Sequence, residues 1–438
     1  MKTKIHIFHV GDMNNKGTEA LIKSDVQMLE ELVRNVSISI STTDVEGIKR
    51  VGVKSDVVFP PLLSIPYSFA DNMTKRLGIY RYSFKYKILA VIGVFNLFIG
   101  TVLLIFSTLL TKIGLRPVYR SKSLTRIKDC DIVISCSDEN FKEAASLLPT
   151  TFYWLLNWWS ILFIRSIDIT IAKFFGKPVI IFPNSIGPFR TRVGRFLGRL
   201  ALNNSKIVLV REKISYKIVE DLKISPPRVL TSDSALLFKP SKRFESKTSK
   251  NSIGVCPGVY AQTLSVKKVQ NYIVEHARAL DKAIEKFECD VIFLPHFISG
   301  FENDDLDISR QILSKMRNKS KAKIITVESL DEFKSFLDNM SMIISSKLHP
   351  AILGSSGFIP TLCIAYDQKQ VGFFDTLMMS KHVLDINDIN SELLFSKICQ
   401  IWREKDNIEK NLRMIIPPLQ KSTKEAVRMA LKQFINLK

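Results

Sequence analysis

The chain has 438 residues, 46% of them hydrophobic, which is enough for two domains with substantial cores. Its formal charge of +21 is dispersed over many short Lys/Arg clusters; such a surface suits nucleic acid, an anionic membrane face or an anionic substrate, and the absence of basic stretches interleaved with aromatics argues against the first. The cysteines at 130, 136, 256, 289, 363 and 399 stand singly, without CxxC or Cys/His spacing, which excludes a zinc module and predicts buried thiols in a reducing compartment.

Ile5 to Val10 alternates as a first strand and runs into GDMNNKGTEALIKSDVQMLEELV, a polar loop followed by an amphipathic helix. Gly11, Asn14, Asn15 and Gly17 permit a turn with positive φ, and Thr18 with Glu19 opens the helix. The loop has the shape of a phosphate-binding βα turn but is not GxGxxG, and a turn with no ligand fits it equally. The stretch MKTKIHIFHVGD is too briefly apolar for a signal peptide, so the cytoplasmic side is expected.

After a second strand at Val36 to Ser41, residues 88–111 carry no charge and are long enough to cross a bilayer. A simple crossing would strand the first βα unit on the wrong side of the membrane from every later strand. Both flanks are basic, with Lys75, Arg76, Arg81, Lys85 and Lys87 before and Lys112, Arg116, Arg120, Lys122, Arg126 and Lys128 after. The expectation is therefore a monotopic dip, a bent helical hairpin turning near Asn96 or Gly100, with residues 75–128 on an anionic membrane surface. A buried core helix and a true span are the rival readings.

Asp131 to Ser135 is the next strand, ending in SCSDENF, and the helical run beyond it places Trp154, Trp158 and Trp159 on one side, at a membrane interface or in a core. Val179 to Phe182 leads into PNSIGPF, with Ser185 at the loop, and Ile207 to Val210 leads directly into Arg211-Glu212, where a guanidinium can grip a phosphate or carboxylate. Arg228 to Leu230 closes the half with TSDSALLF, whose Asp233 either caps the turn or faces the cleft. The polar, basic stretch 239–252 reads as a linker.

The strand-helix alternation then restarts: Ser252 to Cys256, a helix from Val266 to Phe287, Val291 to Leu294 ending in PHF with His296, Lys323 to Val327, and a helix from Leu330 to Asn339. Ser341 to Ser345 is a short buried-type strand that stops at Ser346-Lys347 and gives way to a helix starting near Pro350. Ser345, Ser346, Lys347 and His349 thus sit where ligands bind in open parallel sheets, and the neighbouring strand Thr361 to Tyr366 adds Asp367 and Lys369. Two halves of this kind make an α/β protein of two Rossmann-like domains facing a cleft, the GT-B plan. The expected units are 1–240, with a hydrophobic membrane-associating insertion at about 60–125, then 253–400, then an amphipathic helical tail at 401–438 interrupted by Pro417-Pro418.

GDMNNKGTEA, FPNSIGPF, VREKISYKIVEDL, TSDSALLF, PHF followed by Asp304-Asp305, SSKLHPAI and IPTLCIAYDQK occur in the order found in the polysaccharide pyruvyl transferase family. The resemblance covers most of the chain except residues 60–125 and the last thirty or so, and the ordered set carries it rather than any one motif. It implies transfer of the enolpyruvyl carbons of phosphoenolpyruvate to two hydroxyls of a sugar on a glycan or lipid-linked precursor, making a cyclic ketal, with phosphoenolpyruvate as donor substrate and no cofactor or metal. It also implies a donor grip by an upstream Arg, matched here by Arg211, and by an Arg-Leu-His triplet, matched by Lys347, Leu348 and His349.

Lys for Arg at 347 keeps the charge but loses the planar two-point grip. The stretch SCSDEN, where the family tends to have a glycine-rich loop, brings Asp138 and Glu139, which would repel an anionic donor unless they face the acceptor. His349 is the expected acid or base, Arg211, Lys347, Leu348 and Lys369 the expected donor site, and Asn14, Asn15, Ser185, Asp233, His296, Ser345 and Ser346 further cleft candidates. A GT-B glycosyltransferase using a nucleotide sugar and a non-catalytic membrane-attached member are the alternatives.

Overall fold

The computed structural model describes residues 2–77, 84–118, 121–143, 152–242, 244, 251–259, 264–300 and 303–438. The first half contains β1 (Thr3–Val10), α1 (Lys16–Leu32), β2 (Val36–Thr42), α2 (Val45–Arg50), β3 (Val57–Phe59), α3 (Pro66–Leu77), α4 (Phe84–Lys112), α5 (Lys122–Asp129), β4 (Ile132–Ser135), β5 (Asp138–Phe141), α6 (Phe152–Phe174), β6 (Val179–Ile186), α7 (Arg192–Asn203), β7 (Ile207–Val210), α8 (Lys213–Asp221) and β8 (Arg228–Leu230). The second contains β9 (Ser252–Cys256), α9 (Val266–Phe287), β10 (Asp290–Phe293), α10 (Asp305–Lys315), β11 (Ala322–Ile324), α11 (Leu330–Asp338), β12 (Met342–Ser345), α12 (Leu348–Ser356), β13 (Thr361–Ala365), α13 (Gln368–Thr376), β14 (Val383–Asp385) and α14 (Ser391–Lys432).

The strands form two parallel sheets. The first runs β3-β2-β1-β4-β6-β7-β8 with β5 beside β6, and the second runs β11-β10-β9-β12-β13-β14. Central strands such as IVIS of β4, IVLV of β7, MIIS of β12 and TLCIA of β13 are buried along their whole length because helices cover both faces, hence their unbroken apolar runs. Each sheet has one place where the strand order reverses, between β1 and β4 in the first and between β9 and β12 in the second. Crevices open at the carboxyl ends of strands at such reversals.

The expected hairpin is corrected: α4 is one unbroken helix of 29 residues through Asn96 and Gly100. Its glycines serve close packing, since a Cβ on Gly93 would lie 2.8 Å from the Pro66 carbonyl oxygen of α3. Leu97 and Leu104 join the first lobe's core, whereas Phe95, Phe98 and Phe106 are more than half exposed, so the core-helix reading also fails. A full crossing is incompatible with the sheet, because Ile5 of β1 pairs with Ile132 of β4 and these strands lie on either side of α4 in the chain. Of the basic flanks, Arg76, Lys85, Lys87, Arg116 and Lys122 are exposed, but Arg126 turns inward and donates to Ser37 and Ser39 of β2. Arg81, Arg120 and the side chains of Lys75 and Trp154 lie outside the described residues.

The tail is not a separate piece. α14 begins at Ser391 and continues through Pro417 and Pro418 for 42 residues, about 60 Å. Its first part packs into the second lobe's core through Leu394, Ile398 and Ile401, and its last part into the first lobe's through Ala426, Val427 and Leu431. One helix therefore ties both lobes. Trp159 donates its indole N–H to Glu143 and to Thr191, 3.2 Å away, which favours the core reading of that aromatic side.

Candidate functional site

At the second lobe's reversal, Ser345 closes a tight turn, donating to the Lys347 carbonyl at 2.6 Å and accepting its N–H at 3.1 Å. Lys347 is the N-cap of α12, so the helix starts at Leu348 and Pro350 occupies its third position rather than its first, still among the N–H groups that lack helical partners. Ser346 Oγ lies 2.5 Å from the Tyr272 hydroxyl. Lys347 Nζ lies 3.3 Å from Asp305, and its stem presses on Gly258, where an added Cβ would meet Cε at 2.2 Å. Leu348 is 3% exposed and its side chain packs in the second lobe's core.

His349 reaches from this turn to the first lobe. Its ring lies against Gly17, where an added Cβ would be 2.1 Å from Nδ1, and stacks on His296 with centroids 6.2 Å apart. Only glycine permits that approach at the start of α1. Asn15, rather than Thr18, caps this helix by accepting the Gly17 N–H at 2.9 Å, and its backbone bridges to Phe297. Asn14 accepts from Arg50 at 2.9 Å and lines, with His296, Lys16 and Glu328, an inter-lobe cavity of about 270 Å³. Among the described residues, that lining does not take in Arg211, Lys347, His349 or Lys369.

On the first lobe, Arg211 follows β7 and donates from Nε to Ser185 at 2.7 Å and from Nη1 to Asp233 at 2.6 Å. Asp233 both caps the turn, through Ala235 N–H, and faces Arg211. Lys369 pairs with Glu139, and Lys142 joins Glu139 at 2.7 Å to Asp367 at 3.4 Å. Glu139 and Lys142 belong to the first lobe and Lys369 and Asp367 to the second, so this network crosses the cleft. The crevice is therefore not a bare cationic pocket: Glu139 pairs with Lys369, and a carboxylate matches each expected cation.

Burial works against the Arg211 charge, but Asp233 and Glu212 outweigh it and keep the guanidinium ionised. Burial, then Arg211, His296 and Lys369, hold His349 well below the usual imidazole range. This coupling puts the Arg211 and His349 charges in one electrostatic neighbourhood although they come from opposite lobes. His296 is likewise depressed by burial and by Lys347 and Lys16. Burial pushes Glu212 up to about 7 and raises Asp305 and Asp138. Four nitrogens here, Arg211 Nη2, His349 Nε2 and both ring nitrogens of His296, are buried without a hydrogen-bond partner among the described residues. Such atoms cost free energy unless a ligand satisfies them.

Arg211 with Ser185 and Asp233 thus forms one cluster in the first lobe, Lys347, Ser345 and Ser346 bond within the second, Lys369 and His349 reach across to Glu139 and Gly17, Asn14 and His296 line the inter-lobe cavity, and Asn15 is spent on capping. Lys142 escaped the sequence reading, although its place just past a strand end was a usable signal. Also missed were His9 at the end of β1 and the charges Arg165 and Asp168 within the otherwise apolar α6.

The sequence pattern of the family described as polysaccharide pyruvyl transferase matches residues 15–368. The amylovoran biosynthesis protein AmsJ of Erwinia amylovora is 20% identical over 314 residues, covering 68% of this chain and 71% of AmsJ. Similar solved structures include MnaA of S. aureus with UDP (TM-score 0.58, 10% identity, 99% of this chain and 97% of that one). The UDP-GlcNAc 2-epimerase of Methanocaldococcus jannaschii has TM-score 0.57 and 12% identity over 98% of this chain and 100% of its own. TcCGT1 in complex with UDP has TM-score 0.56 and 9% identity, covering 99% of this chain and 100% of that one. At these identities the structures establish the two-lobed GT-B fold alone. The match over residues 15–368, spanning both lobes and ending one residue before Lys369, makes this chain a member of the polysaccharide pyruvyl transferase family.

Proposed function

We propose that the protein transfers the pyruvyl group of phosphoenolpyruvate to two hydroxyls of a sugar on a glycan or lipid-linked precursor. The observation that carries this reading is the convergence of Arg211 and His349 from opposite lobes, each with a buried nitrogen awaiting a partner among the described residues. Arg211 and Lys369 hold the donor's phosphate and carboxylate, and the donor takes the place of Glu139 on Lys369. His349, neutral in the empty site, gains basicity as the anionic donor arrives and handles the proton at the donor. In the first step an acceptor oxygen bonds to C2 while the hydroxyl proton is lost and C3 gains one, becoming a methyl group. In the second step another hydroxyl displaces phosphate, which leaves with that hydroxyl's proton, so the ketal forms with atoms and protons in balance.

We propose further that α4 lies in the cytoplasmic face of a membrane and brings a lipid-linked acceptor to this crevice. The supporting observation is its exposed apolar surface, including Val91, Phe95, Phe98, Val102 and Phe106, between exposed Lys85, Lys87 and Arg116. Charged substitutions at Phe95, Phe98 and Phe106 should shift the protein from anionic vesicles to the supernatant; retention on vesicles would overturn this part.

Incubation of the protein with labelled phosphoenolpyruvate and membrane glycolipid should release phosphate and give a ketal methyl signal. His349→Ala should lower the rate about 10²–10⁴-fold. Turnover of labelled nucleotide sugars instead would establish the glycosyltransferase alternative, and no turnover of either donor the non-catalytic one.

A further inference from the structure

The first lobe's own reversal point, between β1 and β4, holds a second cluster of ionisable side chains that the donor site does not use. His9, at the end of β1, has φ of +65°, uncommon for a residue with a side chain and a kind of strain that concentrates at functional sites. That backbone aims its ring at Ser135, the last residue of β4, whose Oγ lies 2.9 Å from Nδ1. On the other side, His9 Nε2 lies 3.4 Å from Asp168 Oδ2. Asp168 and Arg165 are the sole charges on α6 between Phe152 and Ala172, and both turn toward this point rather than outward. Asp168 Oδ1, Arg165 Nη1 and His9 Nε2 are buried without a hydrogen-bond partner among the described residues, so the His9–Asp168 approach at 3.4 Å is a close contact rather than a hydrogen bond.

This cluster adjoins the donor crevice. Asp138 interacts electrostatically with Arg211 and Lys369 on one side and with Arg165 on the other. Asp138 thus links the donor crevice to this cluster and its unpartnered polar groups. We propose that Asp168, Arg165 and His9 form the acceptor site, in which Asp168 Oδ1 takes the proton of the attacking hydroxyl, Arg165 binds a neighbouring sugar oxygen, and His9 positions Asp168. The proposal rests on the donor reading given above. As the acceptor oxygen bonds to C2 of the donor, its proton passes to the Asp168 carboxylate, and C3 takes a proton from His349, which is protonated once the anionic donor is bound, so one proton leaves His349 and one arrives on Asp168. Burial pushes the Asp168 carboxyl up to about 7 against the Arg165 charge, which suits a base working near neutral pH. The charged and titratable groups around the pair are Arg165, Asp138, Glu139 and Cys136, besides His9 itself.

The test compares wild type with Asp168→Asn, which keeps shape but not basicity, and with His9→Asn, which tolerates the same backbone conformation. Methyl hexopyranosides with free 4- and 6-hydroxyls serve as acceptor probes, phosphate release reads turnover, and calorimetry reads phosphoenolpyruvate binding. Asp168→Asn should cut kcat/KM for the glycoside about 100-fold or more, and His9→Asn should shift the acidic limb of the pH profile, with donor affinity within about twofold of wild type in both. Unchanged turnover in Asp168→Asn, or donor binding lost together with turnover, overturns the proposal. If wild type binds no phosphoenolpyruvate, the donor reading fails by itself. Saturation transfer from protein to glycoside then decides the acceptor site: contact that disappears in the variants supports it, and no contact with wild type overturns it.

Discussion

The two places where strand order reverses are built alike and used differently. In the second lobe the turn at the reversal is satisfied, with Ser346 on Tyr272, Lys347 on Asp305 and Ser345 on its own turn, and the groups left without a hydrogen-bond partner among the described residues are imidazole nitrogens of His349 and His296. In the first lobe the corresponding point keeps Asp168 Oδ1 and Arg165 Nη1 unsatisfied among the described residues and holds His9 in a strained backbone. Each lobe brings both signs to the cleft, Glu139 and Lys142 from the first and Lys369 and Asp367 from the second, and the pairs Lys369–Glu139 and Lys142–Asp367 cross it in opposite senses. The lobes neutralise each other across the cleft, so an anionic donor must exchange with a built-in carboxylate rather than enter an empty cationic bowl.

The largest expected break in this comparison comes from Gly17→Ala, which drives a methyl group into the His349 ring from the opposite lobe. Activity should fall about 100-fold or more while the circular dichroism spectrum stays that of wild type, because displacement of a reacting group by about 1 Å is costly. Wild-type activity would mean that His349 has room and is not held for chemistry. Next in size, Glu139→Gln removes the carboxylate that competes for Lys369 and should tighten phosphoenolpyruvate binding about tenfold, or 1.4 kcal/mol, by calorimetry. Weaker binding would show that Glu139 assists the donor instead of standing in for it.

The smallest effect is on stability against pH. All six histidines are pushed down by burial, His6 to about 3, His276 and His382 to about 4, and His9, His296 and His349 well below their usual value. Below about pH 6.5 the unfolded chain takes up protons that the folded chain refuses, so stability present above that pH is lost as pH falls. Asp168 and Glu212, raised to about 7, and Asp25, raised to about 6, act in the opposite direction, as do Asp138 and Asp305, because their folded forms bind protons first. The histidines prevail, and Tm should drop by about 3–6 °C between pH 6.5 and 5.5. A flat or rising profile would contradict the burial of the two cleft histidines.

The α/β plan was legible because strands buried on both faces must be short, branched and uninterrupted, and Ile207–Val210 and the helix Val266–Phe287 read to the residue. The hairpin misreading of residues 88–111 has a physical cause: Asn96 and Gly100 resemble turn residues, but α4 runs straight through both, and a Cβ on Gly100 would lie 3.4 Å from Leu63. Strand ends likewise exposed Arg211, Lys347, His349 and Lys369 in the sequence. What sequence order could not supply was their partners, since Glu139 meets Lys369 from 230 positions away and Lys142 meets Asp367 from 225. Pairings so remote follow from how the lobes close. Arg165 and Asp168 did leave a trace, as two charges in an apolar helix that nothing local could satisfy.

The structure of the protein soaked with phosphoenolpyruvate tests the donor crevice most directly. The account predicts density for the phosphate and carboxylate between the lobes, with Arg211 Nη2 and His349 Nε2 acquiring partners and Glu139 displaced from Lys369. Density in the cavity lined by Asn14, Lys16 and Arg50, or an unaltered Glu139–Lys369 pair at saturating donor, would contradict it.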